Sequence, residues 1–546
     1  MKYLLLLFLT VSISSKELIN TSETEARIYY SVDNQWTILT ENFDETKPFV
    51  AKGFYNDIFD TNGWDKLAIT TNSQFNDDLQ AEAAGRLEGY LSKDRILMHY
   101  HNVASFTGDL TDNEKEFFQK QFDFIKSSYE KTPENPHIYN AHLVYLQFKG
   151  MVDEYNKQQV DEANKISEIE FNIMTAFGDM IEIHEKSKTN SKSFDEMNYE
   201  ELKEFTFLHS HCSAIFKAKE DLTNVFMAHN SWYYYSMMNR IFKEYNLNFN
   251  HYSVKAKSVL FSSYPASLSS NDDFYVTSND LNVIETTNMF FNKTFYQLVE
   301  PESLLTWQRV IIANRMSVTA KEWSSHFGAY NSGTYNNMYM VLDMKNILIE
   351  EQTILNETLF TVEQIPKLIK TNDVTNQLKY GYWPSYNTPY DKEIIELSNI
   401  TGKISEIPDM KYIVDYDICT RATTMRRDQS KIKDIESLKT FIRYNNFTKD
   451  KLALNDSTAS ISARGDLLPK PECFGAYDAK VSSVSDLKGK TKTIYVIAGP
   501  TYSDEPEWTA FNWNDGACNA KFKHEGIKSD GPIKYDWFTV TNRFDA

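Results

Sequence analysis

Residues 185–199 divide this chain into two parts that read differently. The segment is polar and shows no periodic apolar face, which predicts a loop or linker open to proteases. Ahead of it, apolar residues recur at helical spacing. Behind it, they fall into short runs of strand length. A chain with this change of character predicts an α+β or layered α/β class.

In the first part, residues 63–71 predict a short strand leaving a turn. Asp77 or Asp78 then caps a helix, with Leu79, Ala83, Leu87 and Leu91 repeating every four residues. Thr111 and Glu114 have capping-box spacing, and Phe118, Phe122, Ile125 and Tyr129 continue from them as an apolar stripe. That stripe reads as core packing. Pro133 and Pro136 break the chain, and a further helical stretch is predicted over about 137–184. In the second part, residues 212–218 and 224–230 flank Lys219-Glu220-Asp221 and predict a hairpin, with Cys212 at the first position of its strand.

The N-terminus reads as an address. Lys2, the apolar run Tyr3 to Val11 and the small residues up to Ser15 form a signal-peptide pattern over 1–15. No later segment has about 18 unbroken apolar residues, so no transmembrane segment is predicted. The expected location is secreted or a lysosomal or other endomembrane lumen. Six acceptor sequons agree with that: Asn20, Asn292, Asn356, Asn399, Asn446 and Asn455. The cysteines are Cys212, Cys419, Cys473 and Cys518. An oxidising compartment permits two bridges, or one if Cys212 has another task. Spacing leaves the connectivity open; Cys473 with Cys518 is our choice. The net charge of −19 argues against a nucleic-acid partner.

Several chemistries have no matching pattern. There is no Gly-x-Ser-x-Gly, no His-Glu-x-x-His, no Walker loop and no Gly-x-Gly-x-x-Gly. His184-Glu185-Lys186 is the one His-x-Lys, and Ser191 stands where a phospholipase D pattern needs Asp. His209-Ser210-His211-Cys212 is the densest group of ligand-type side chains. On a strand, His209 and His211 would share a side and, with Cys212, offer part of a zinc site. His99-Tyr100-His101 repeats the His-x-His pair and weakens that signal. We expect no metal and no cofactor.

The other reading of Cys212 is a nucleophile, set against that of a small buried apolar residue. A thiol needs a base or a lowered pKa. If the bond before Cys212 is cut, the freed α-amine, with an ordinary pKa of roughly 7.7–8.0, lies beside the thiol and acts as base.

The stretch from His209 to Leu247 resembles the phospholipase B-like family, also called laminin-ancestor-like proteins. So do residues 261–266, 272–275, 284–287, 330–337, 363–366, 382–387 and 426–429, in order along the chain. The resemblance implies an N-terminal-nucleophile hydrolase with a four-layer αββα sandwich and additional helices, made by self-cleavage between His211 and Cys212. Residues 16–211 would be the N-terminal chain, ending in a polar linker (about 185–211). Residues 212–546 would carry the nucleophile, and the two chains would stay associated. By position the resemblance implies catalytic Cys212, His229, Asn387 and Arg421, with Trp232 and Thr287 at the substrate. Asn387 would offer an amide N–H to an oxyanion, Arg421 a fixed cation, and Trp232 a wall for an acyl chain. The implied activity is removal of fatty acyl chains from glycerophospholipids through an acyl-thioester. The alternatives are an amidase or N-acyl hydrolase, and a secreted lipid-binding protein without catalysis. His209 and His211 lie beside the implied cut, on its N-terminal side, so a lumen of falling pH would charge them near about 6.5 and promote conversion.

Overall fold

The computed structural model describes residues 23–188, 192–209, 212–271, 274–503, 509–515, 518 and 521–544. The expected signal peptide, Asn20 and His211 lie outside them.

Two sheets organise the chain. The larger has 11 strands, and its middle seam is the parallel pairing of Trp64–Thr71 with Arg240–Asn246. Four strands from before residue 72 lie on one side of that seam, and seven from after residue 239 lie on the other. The smaller sheet has six strands, entirely from the second part: Tyr382–Ser385, Ser213–Ala218, Val225–Asn230, Asp478–Ser483, Thr493–Ala498 and Phe538–Thr541. The class is thus mixed α/β. The helices Asp77–Leu91 and Ala320–Gly328 pack on the large sheet, and Ile435–Ile442 packs on the small one. Leu281–Thr287 of the large sheet meets Ser213–Ala218 of the small sheet.

The helix Asp77–Leu91 is capped by the Asn76 side chain, which accepts from the Leu79 N–H, one residue earlier than expected. Its most intimate neighbour is the helix Pro136–Gln158. A Cβ on Gly85 would sit 1.8 Å from the Gln147 carbonyl oxygen, so only glycine permits this approach. The Thr111–Glu114 capping box is formed and starts the helix Asp112–Lys131. It satisfies two N–H groups that the first turn leaves without helical partners.

Two expectations are corrected. The helical stretch over 137–184 is three helices, Pro136–Gln158, Glu168–Thr175 and Met180–Ser187. Ser167 and Glu170 restart the chain with a second capping box. The segment 185–211 is not a linker throughout, because Tyr199–His209 is a helix that buries Leu202, Thr206 and Phe207. The predicted hairpin is present, but its first strand begins at Ser213. Cys212 stands just outside it with φ 86°.

Candidate active site

Cys212 is held from both sides. Its position, between the helix Tyr199–His209 and the strand Ser213–Ala218, requires a left-handed backbone that costs a non-glycine residue about 1–3 kcal/mol. Arg421, in the first turn of the helix Thr420–Asp428, fixes the residue by its carbonyl. Its Nη1 donates to Cys212 O at 2.9 Å, to Asn387 Oδ1 at 2.7 Å and to Ser213 Oγ at 3.3 Å. The Ser213 N–H donates to Asn230 Oδ1 at 2.9 Å. Trp232 Nε1 donates to the same oxygen at 2.8 Å, and the Arg421 guanidinium stacks 4.4 Å from the Trp232 ring. Burial lowers the Arg421 pKa to about 10, so the guanidinium keeps its proton at neutral and acid pH.

The Cys212 thiol lies 3.9 Å from Glu285 Oε1. The ligand atoms of Cys212, His229 and Glu285 all fall within 4.8 Å of one another, and all three side chains are buried. His229 comes from the neighbouring strand of the hairpin, opposite Ala214. Glu285 comes from the large sheet, on Leu281–Thr287. The Tyr335 hydroxyl is 2.6 Å from the Asn271 carbonyl and 3.3 Å from the same Glu285 oxygen. A thiol, an imidazole and a carboxylate at this range can exchange a proton.

The residues implied by resemblance are therefore largely brought together, with qualifications. Asn387 commits one of its two amide N–H groups to the Thr287 carbonyl at 2.8 Å. Thr287 contributes that carbonyl from the end of its strand. Trp232 lines a cavity beside the thiol, with Gly178, Tyr233, Tyr264 and Tyr335. That cavity is about 10 Å³, room for no more than one water, so no acyl chain fits in the continuous polypeptide. A wider opening, about 620 Å³ around Arg443, Tyr444, Tyr502 and Trp537, shares no residue with it.

Glu285 was not singled out from sequence. The segment 284–287 drew attention to Thr287, yet a strand places residues two apart on one face, and Glu285 is the partner of Thr287 in that sense.

Of the two His-x-His patterns, only His99 and His101 are both described, and they do not converge. His209 ends its helix, donates to the Phe205 carbonyl at 2.8 Å and stacks on the Phe205 ring. Burial lowers its pKa below 6.5, so it gains charge later on acidification than expected. His211 lies outside the described residues. His99 is buried against Tyr264 with its pKa pushed down to about 3, whereas His101 turns to Glu525 at 2.7 Å. His184 pairs with the Glu114 carboxylate at 2.8 Å.

Cys473 and Cys518 form a disulfide with Cα atoms 5.4 Å apart. Among the expected glycan acceptors, Asn356 and Asn455 are exposed, and Asn292, Asn399 and Asn446 are partly exposed. No helix among the described residues is long and apolar enough to cross a membrane.

Comparison with known proteins adds a family. A family model described as Phospholipase B matches residues 51–540. "Phospholipase B-like protein B" of Dictyostelium discoideum is 37% identical over 501 residues, covering 89% of this chain and 86% of that protein. "Phospholipase B" of Crotalus adamanteus is 33% identical, covering 95% and 94%. "Phospholipase B-like 1" of Rattus norvegicus is 36% identical, covering 85% and 83%. With a match over most of its length and this level of identity, the chain belongs to the phospholipase B family.

Proposed function

We propose that this chain is an acyl hydrolase of the phospholipase type, whose nucleophile is Cys212 after self-cleavage of the bond that precedes it. The observation that carries this reading is the Cys212 thiol in a left-handed turn at the mouth of a strand, with Glu285 at 3.9 Å and His229 in reach. The names of the relatives support phospholipid as the substrate class.

In the first reaction Glu285 takes the thiol proton. The sulfur attacks the carbonyl carbon of residue 211, the C–N bond breaks, and the α-amine leaves with a proton. Water then hydrolyses the thioester between residues 211 and 212, and the backbone strain at Cys212 is released. Turnover repeats the chemistry on an ester. The free α-amine takes the thiol proton, sulfur attacks the acyl carbon, and the alcohol leaves with that proton. Water, deprotonated by the same amine, releases the fatty acid. Arg421 holds the Cys212 carbonyl, so the thiol keeps its place in both reactions.

The four-layer αββα sandwich belongs to this reading. It is supported by helices on the large sheet, a helix on the small sheet, and the meeting of the two sheets at Leu281–Thr287 and Ser213–Ala218. We assign 1–15 as a signal peptide, with associated chains 16–211 and 212–546. A secreted or endomembrane-lumenal location accords with the Cys473–Cys518 disulfide.

The test follows purified precursor by mass spectrometry, with protease inhibitors present, and then offers phospholipid ester and N-acyl amide substrates side by side. We expect a new N-terminus at Cys212 and faster fatty acid release from the ester. Full hydrolase activity in a single intact chain rejects the mechanism, and faster amide hydrolysis rejects the substrate class.

A further inference from the structure

The groups that meet at position 212 are also a ligand set. The thiol of Cys212, an imidazole nitrogen of His229 and a carboxylate oxygen of Glu285 lie within 4.8 Å of one another, with all three residues buried. A tetrahedral zinc ion with sulfur at about 2.3 Å and oxygen at about 2.1 Å holds those two atoms about 3.6 Å apart. Here Cys212 Sγ and Glu285 Oε1 stand at 3.9 Å, a difference that a small side-chain rotation closes. The adjoining cavity has space for a single water-sized ligand. The three donors come from a turn, the hairpin and the opposite sheet, so the fold itself sets their spacing.

We propose that Cys212, His229 and Glu285 bind a borderline-soft divalent cation of the zinc class, and that the ion holds the thiol out of reaction. On binding, the thiol releases its proton and forms the sulfur–metal bond, while the imidazole and the carboxylate donate lone pairs. One thiolate and one carboxylate balance the double charge, which leaves a neutral unit in a buried place. Magnesium and calcium prefer all-oxygen shells and are poorly matched to this set. If the chain is cut as proposed above, the α-amine of Cys212 adds a fourth donor and closes a five-membered chelate with its own sulfur. The cut chain then binds more tightly than the uncut one, and the ion covers nucleophile and base together. Zinc in the compartment thereby acts as a reversible off-switch.

The experiment titrates purified uncut full-length chain with Co2+, reading the near-ultraviolet sulfur-to-cobalt charge-transfer band. We expect one equivalent, displaced by Zn2+ and removed by a chelator. Cys212→Ser abolishes the band, His229→Asn and Glu285→Gln each weaken binding at least tenfold, and Cys419→Ser leaves the titration unchanged. A band of wild-type affinity in His229→Asn or Glu285→Gln, or one that follows Cys419, overturns the site. Should a variant fail to fold, zinc-edge X-ray absorption on the wild-type chain decides. One sulfur among lighter donors supports the site, and a shell without sulfur overturns it. No readout here uses hydrolysis, so failure of the proposed activity is distinguishable from failure of the site. Equal affinity in cut and uncut chains overturns the fourth donor.

Discussion

Cys212 and Cys419 are each 1% exposed, and both stand outside the disulfide, yet their surroundings differ in kind. Cys419 precedes the helix Thr420–Asp428 and sits in an apolar cluster with Ile215, Phe226, Tyr386 and Met425. Burial pushes its thiol up to about 11, outweighing the pull of Arg421 nearby. Cys212 lies under the same arginine, but faces a carboxylate and an imidazole from two different sheets. Equal burial makes one thiol a packing element and gives the other proton acceptors. The difference is therefore built by topology, not by depth.

The sharpest way to break this contrast is to remove each sulfur. Cys212→Ala should abolish both self-cleavage and acyl release, a loss of at least about 10³-fold. Cys419→Ala should keep both within about twofold and lower stability by about 1 kcal/mol, read by thermal melting. Equal loss of cleavage in both variants would collapse the distinction. Next comes Glu285→Gln, which keeps the shape and removes the acceptor for the thiol proton. Cleavage, timed by appearance of the 212 N-terminus, should slow about 10²-fold; an unchanged rate assigns the base elsewhere.

Arg421 is shared by both neighbourhoods, so Arg421→Lys probes how much each depends on it. Lysine cannot reproduce a planar stack on Trp232 together with three donated hydrogen bonds. We expect kcat on the ester to fall about tenfold with little change in KM, while Cys419 remains unlabelled by native alkylation at pH 8. The smallest effect is one of pH. Glu182 accepts from the Tyr335 N–H and the Asn336 amide, and burial nevertheless raises it from 4.5 to about 8. The folded chain thus holds a proton that the unfolded chain gives up near 4.5. The stability this adds is complete below that unfolded value and is lost as pH rises through about 8. Wild type should therefore melt higher at pH 5 than at pH 8, and Glu182→Gln should narrow the gap by a few degrees. The Cys419 thiol keeps its proton in the folded chain over that range.

What sequence reveals here is what neighbours in the chain decide. The capping box at Thr111 and Glu114 is a spacing of three, and the hairpin from Ser213 to Asn230 is two apolar runs around a turn. The close contact of Gly85 with Gln147 has no such signal, because two helices must first meet for a missing Cβ to matter. The helix Tyr199–His209 escaped notice because its buried side is three residues among charges. At the site, resemblance located Cys212 and Arg421, 209 residues apart, whereas Glu285 emerged only when the two sheets were set together. The engagement of Asn387 with the Thr287 carbonyl likewise depends on where two strand ends stop.

The parallel seam between Trp64–Thr71 and Arg240–Asn246 has a consequence for manufacture. Suppose the protein were encoded as two genes meeting at residue 212. One product would emerge with four strands and the other with seven of the same sheet, each ending in a row of unsatisfied N–H and C=O groups. Such edges invite pairing with the wrong neighbour at the ribosome and in the inclusion body. A single reading frame keeps the two rows on one tether until they have found each other. If the chain is cut as proposed, the cut belongs after assembly, and two separately translated halves should yield aggregate where the continuous gene yields protein.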